Sequence, residues 1–209
     1  MLDLSAPALR REQGVRLVRE AYKREFWQRD AAVRDRDSWK LERRQHFEEQ
    51  GSPSRDALSR GDWTESLRLM EERRERFLAD AREDELRNST FHRVRVVEQP
   101  LTPYLQWELH SLRQQAECGM PVRVVGAEHV AASESDGLLP ELVILGGDVL
   151  FQVLYTESGV PDGAISYTDP GVIGAWESYI KDLYRTGEDV RSYFDREVAH
   201  LPPPTTKAD

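Results

Sequence analysis

Near Asn88 the chain changes texture, and that change constrains the fold more than any other feature. Ahead of it run charged stretches whose apolar residues fall three and four apart. Behind it come short β-branched runs punctuated by glycine and proline. From Ala8 to Arg34, Leu17, Val18, Tyr22 and Phe26 keep helical spacing, no proline intervenes and Gly14 is the one weak point, so a long helix is expected. A second helix is expected from Asp37 or Ser38 to the region of Gly51, carrying Trp39 and Phe47. Ser52-Pro53 reads as the start of a short helical turn that Gly61 closes. Asp62 with Glu65 then makes a capping-box-like pair for a helix whose stripe is Leu67, Met70, Phe77, Leu78 and Ala81. The segment LRLMEERRERFLADAREDELR lacks a breaker; it fits an antiparallel hairpin with the first helix, or pairing with a second copy of the chain.

Beyond Asn88, FHRVRVV alternates as a strand does, and Thr102-Pro103 caps a helix bearing Leu105, Leu109 and Leu112, which Gly119 ends. Pro121 to Val125 reads as a further strand, so strand–helix–strand predicts a parallel crossover. In LPELVILGGDVLFQVLY, Gly146-Gly147-Asp148 marks a hairpin turn. Another turn in GVPDG leads to a strand from Ala164 to Thr168. Asp169-Pro170 opens a helix holding Val172, Ile173, Trp176, Ile180 and Leu183, and EDVRSYFDREVAHL forms the last. The expected fold class is α+β: a region of long, hairpin-like helices over 1–88, a mixed α/β domain of about five strands over 89–201, and an extended, disordered tail over 202–209.

Charge separates along the same line. Residues 1–90 carry 20 basic and 20 acidic side chains, and residues 91–209 carry 9 and 18, so the net −9 belongs to the second part. Arg10-Arg11, Arg43-Arg44 and Arg73-Arg74 are interleaved with acids, which reads as surface ion pairing. Direct nucleic-acid binding, which needs uncompensated cations, is therefore not expected. No run approaches the roughly 20 apolar residues of a membrane span, and a single cysteine, Cys118, excludes an internal disulfide. A reducing cytoplasm is the expected setting.

Motifs that carry chemistry are missing. His46, His92, His110, His129 and His200 do not pair at ligand spacing, and Cys118 beside Glu117 at a helix C-terminus lacks the surroundings of a thiolate. There is no phosphate-binding glycine loop and no GxSxG elbow. No catalytic residue, metal site or cofactor is expected. Two polar groups merit attention. Glu98, Tyr104, Trp107 and Glu108 gather at the first crossover, the place where open α/β sheets bind ligands. Tyr155, Asp162, Tyr167 and Asp169 line the other turns.

The segments WKLERRQHFEEQGSPSRDALSRGDW, RVRVVEQPLTPYLQWELHSLRQQAECGMPVRVV, LPELVILGGDVLFQVLY and YFDREVAHLPPP resemble a family of uncharacterised, streptomycete-type actinobacterial proteins. Their genes often lie beside helix-turn-helix regulators, which implies a regulatory setting. The second half also resembles one lobe of the phospholipase D-like fold, used by some regulators as a non-catalytic ligand or dimerisation domain. The catalytic lobe of that fold has a histidine and a lysine two positions apart ahead of an aspartate. Leu139-Pro140-Glu141-Leu142 offers neither. The expected function is that of a non-enzymatic regulatory or interaction protein, a homodimer acting with a DNA-binding partner such as a helix-turn-helix regulator. The alternatives are a small-molecule-sensing domain and a divergent hydrolase.

Overall fold

In the computed structural model, which describes residues 5–205, the chain runs through a 3-10 turn (Arg11–Gln13), β1 (Val15–Leu17), α1 (Arg19–Ala32), β2 (Ser38–Glu42), α2 (Pro53–Ser59), α3 (Trp63–Glu71) and α4 (Arg74–Leu86). It continues through β3 (Phe91–Val97), α5 (Pro103–Glu117), β4 (Val122–Gly126), α6 (Ala127–Val130) and a 3-10 turn (Ala131–Glu134). The remainder is β5 (Glu141–Leu145), β6 (Val149–Tyr155), β7 (Pro161–Tyr167), α7 (Pro170–Thr186), β8 (Glu188–Asp189) and α8 (Val190–Glu197). The strands form one sheet in the order β1-β7-β6-β5-β2-β3-β4-β8. β2, β3 and β4 are parallel and every other pairing is antiparallel, so the sheet is mixed and the fold class is α+β.

Local signals act where they stand. Ser52 accepts from the Arg55 amide at 3.3 Å, Asp62 from Glu65 at 3.0 Å, Thr102 from Leu105 at 3.1 Å and Asp169 from Val172 at 2.9 Å. Each satisfies a donor that the first turn of its helix leaves unpaired. Gly146 and Gly147 both take positive φ, 55° and 71°, which lets the hairpin reverse within a short loop. β3, α5 and β4 form the parallel crossover.

Three expectations over the first 88 residues require correction. Asp37 to Gly51 does not form a helix: Ser38–Glu42 is β2, a central strand between β3 and β5. Its period-two pattern, with Trp39 and Leu41 on one face, is completed only by neighbours distant in sequence. The first helix starts at Arg19 rather than near Ala8, because Val15–Leu17 pairs with β7. A Cβ on Gly14 would lie 2.4 Å from Ile165 Cγ2, so that approach requires glycine. The long charged segment is two helices, α3 and α4, that meet at Glu72 and Arg73. The sheet has eight strands rather than about five: β2 was hidden by its helical neighbours, and β1 and β8 are edge strands too short to show a pattern. One sheet thus takes strands from both sides of residue 88. Residues 202–205 have no helix or strand, and the rest of the predicted tail, 206–209, lies outside the described residues.

The apolar core is divided by the sheet. One face carries Trp39, Leu41, Val94, Val96, Leu142 and Ile144 beneath Ile173, Trp176, Ile180 and Leu183 of α7. On the other face, α5 and α8 cover Val97, Val122 and Val124, whereas α1 sits over Val143, Phe151, Val153 and Ala164. Between these two covered areas the second face is charged.

Candidate functional site

The register spells out that charged interval. One row across the second face reads Phe151, Val143, Lys40, Arg93, Val122; these residues lie opposite one another on β6, β5, β2, β3 and β4. The next row places Glu42 opposite Arg95 and, by the same register, beside Glu141. Strand alternation therefore sets two basic residues side by side on the central strands, with an acid–acid–base row behind them.

The back row is buried. Arg95 is 0% exposed; its Nε donates to Glu108 Oε2 at 2.8 Å and its Nη1 to the Glu42 and Val96 carbonyls at 3.3 and 3.1 Å. Tyr104 donates to Glu49 at 3.0 Å and to Glu108 at 3.3 Å, while Phe47 lies against the Arg95 guanidinium at 5.6 Å. One Glu141 oxygen accepts from the backbone amides of Arg43 and Arg44 at 3.0 and 2.7 Å. The other, like Arg95 Nη2, is buried without a partner. Burial raises the pKa values of Glu108 and Glu141, Arg95 partly offsets this, and the charge of Glu42 adds to it; Glu141 reaches about 7. Glu42 goes the other way, because Arg93, Lys40 and Arg95 together outweigh its desolvation.

The front row is half-open only at Lys40 and Arg93; Phe151, Val143 and Val122 are buried. Above Lys40 and Arg93 lies a cleft of about 490 Å³ between α1 and the sheet. Its walls include Arg19, Tyr22, Lys23, Phe26 and Trp27 from the helix and Phe91, Val143, Val153 and Tyr155 from the strands. Lys40 Nζ lies 2.5 Å from one Glu42 oxygen and Arg93 Nη1 3.2 Å from the other, so two cations share one carboxylate. Tyr22 and Phe26 hold α1 down edge-on and tilted against Phe151, at 5.3 and 6.5 Å between ring centroids. Trp27 stands at the rim, 60% exposed. The volume falls in the range that small-molecule sites occupy, and the walls are aromatic with a few converging polar groups.

The structure brings three of the four candidates from the first crossover together and places Glu98 apart. Tyr104 and Glu108 meet in the buried row; Trp107 packs on Tyr104 at 5.5 Å between ring centroids and donates to Ser54 Oγ at 2.9 Å, in one cluster with Phe47, Leu58 and Met70. Glu98 lies beyond the end of β3, in an ion pair with Arg43 at 2.6 Å. A crevice of about 400 Å³ does lie past β3 and β4, lined by Gln99, Glu128, His129, Tyr193 and Arg196, but by none of the four. Of the second group, Tyr155 lines the α1 cleft, Asp162 pairs with Arg16 at 2.8 Å, Tyr167 is buried on the opposite face and Asp169 caps α7. His92 stacks on Trp39 and bonds Asp37 at 3.1 Å; His110 packs on Phe194, with burial lowering its pKa to about 4. Among the described residues, no three histidine, cysteine or acidic side chains are grouped to hold a metal ion, and no helix is long and apolar enough to cross a membrane. Lys40, Arg93, Arg19, Lys23 and Trp27 escaped the sequence reading. Arg93 carried a local signal, a basic residue at alternate positions of a strand in RVRVV, and Arg19, Lys23 and Trp27 recur every four residues along α1.

Fold and cleft together define an α+β protein whose sheet carries a helix-roofed, cation-floored cavity. The chain belongs to the DUF6879 family, a domain of unknown function, whose model matches residues 24–195. That span takes in the cleft floor and part of its roof. Neither curated proteins nor solved structures yield a match.

Proposed function

We propose that this chain is a ligand-responsive regulatory module without a catalytic step of its own. A small molecule entering the cleft fixes the position of α1, and a partner chain reads that position. The observation that carries the reading is how α1 is seated. None of its residues is fully buried, and it rests over the cleft on the half-buried Tyr22 and Phe26. A helix held this lightly over a cavity responds to what fills the cavity, because a ligand shifts an equilibrium by its differential affinity for the two positions.

The regulatory side of the reading draws on the sequence. Likeness to proteins encoded beside helix-turn-helix regulators supports a DNA-binding partner, and the zero net charge of residues 1–90 fits contact with DNA through that partner. The absent His-x-Lys pair ahead of Glu141 fits a non-catalytic role for a phospholipase D-like lobe. A homodimer fits the edge strand β1, where Val15 is exposed, with Val18 exposed just after it.

A thermal-shift screen against metabolites, followed by hydrogen exchange on any hit, tests the proposal. A binding compound should raise the melting temperature and slow exchange over residues 19–32. Compounds that stabilise the protein while leaving α1 exchange unchanged would refute the helix-reporting part. A broad panel without any stabilising compound would refute the sensor.

A further inference from the structure

We infer that the cleft under α1 takes a small planar ring system bearing a negative charge, with its anion on Lys40 and Arg93 and its ring among Tyr22, Phe26 and Trp27. This rests on the reading of the cleft as a binding site and narrows it to a chemical class.

Charge provides the first argument. The chain carries a net −9, yet the residues lining this cavity include Arg19, Lys23, Lys40 and Arg93 and no aspartate or glutamate. Nearby acids do not cancel the four cations. Glu42 serves both Lys40 and Arg93, so two cations of the floor share one carboxylate, while Glu108 behind them pairs with Arg95 and burial holds Glu141 toward its neutral form. Lys23 reaches Glu20 only at 3.7 Å, between two solvent-exposed side chains, where a pair of charges is weakly coupled. Arg19 makes no ion pair among the described residues; it donates to the neutral Gln50 amide at 2.9 Å, and its Nε is buried without a partner. A concave site holding cations of one sign against low-dielectric walls concentrates anions, whatever the net charge of the molecule.

Shape provides the second. Three aromatic residues of α1 line the cavity, Tyr155 faces them from the sheet side, and Trp27 leaves most of its surface to solvent although Phe26 packs edge-on against it at 5.1 Å. An exposed tryptophan beside cations is a surface on which a ring stacks. The cavity, about 490 Å³, admits a molecule of mononucleotide size or smaller rather than a polymer strand. A carboxylate and a phosphate offer the floor the same chemistry, so the two are separated by experiment.

Isothermal titration with matched pairs makes the test: 1-naphthoate against 1-naphthalenemethanol, and AMP against adenosine. The anion of at least one pair should bind saturably, about tenfold more tightly than its neutral partner, and should weaken as salt is raised. The pair that shows the preference identifies carboxylate or phosphate. Arg19→Gln/Lys23→Gln, which alters only side chains at the roof, should reduce anion affinity several-fold with an unchanged circular-dichroism spectrum. Trp27→Ala should weaken anion and neutral ring alike. Equal binding of anion and neutral partner would overturn the anionic class while leaving the binding site standing. Silence from all four compounds, beside a thermal-shift hit of another chemistry, would likewise refute the class alone. Silence everywhere would refute both the class and the site.

Discussion

Glu141 has one oxygen held by two backbone amides and the other held by nothing, with Glu42 beside it in the same buried row. Burial lifts its pKa to about 7, so the folded protein favours the protonated acid more than the unfolded chain does. Stability from this group is therefore complete below its ordinary value near 4.5 and is lost as pH rises from there through about 7. Glu42, whose pKa is depressed, contributes in the opposite sense, at pH values above its unfolded value. Urea unfolding across pH 5 to 8 should show Glu141→Gln more stable than the parent at the alkaline end, by an amount on the order of 2 kcal/mol, with little difference at the acid end. A difference that is flat with pH would count against the assignment. Arg95 is the complementary case. Arg95→Met strands Glu108 and should cost about 3–5 kcal/mol, whereas Arg95→Met/Glu108→Leu should recover much of that loss, because the pair together gives up its desolvation penalty. A double variant no better than the single would mean that neighbouring polar groups, not the pair, set the cost.

At the scale of elements, α1 and β2 show why local pattern misleads. Of the expected stripe Leu17, Val18, Tyr22 and Phe26, only Tyr22 and Phe26 lie in α1, and they pack on Phe151 of the sheet rather than on a helical hairpin partner. Truncating either ring should loosen this helix before the rest of the fold. Phe26→Ala should cost about 2 kcal/mol, roughly half the figure for a fully buried phenylalanine, and should speed amide exchange over residues 19–32 while leaving β5 and β6 protected. Uniform acceleration everywhere would show that α1 unfolds only with the whole domain. β2 is the reverse. Trp39 and Leu41 alternate correctly, but five residues among charged helices are too few to outvote their surroundings.

At the scale of the molecule, β2 closes the sheet: without it β5 has no partner on that side and β3 keeps only one of its two parallel neighbours. A fragment of residues 89–209 should consequently fail to fold, remaining expanded by size-exclusion chromatography and lacking cooperative melting, and adding residues 1–88 in trans should restore structure. A fragment that melts cooperatively would show that the second part is self-sufficient. What residues alone made legible was local chemistry. Thr102, Asp169, Ser52 and Asp62 cap helices, Gly146-Gly147 turns a hairpin, and FHRVRVV extends, because each outcome is settled within a few positions of the chain. Glu98, Tyr104, Trp107 and Glu108 were legible as a polar group but not as places: Tyr104, Trp107 and Glu108 stay together but buried, and Glu98 leaves for Arg43. The cleft was not legible at all. Lys40 becomes a neighbour of Arg93 only when β2 pairs with β3, and both face a cavity only when α1 crosses above them. Strand partners and helix seating depend on groups far apart in sequence, so their free energy enters only when the chain is assembled.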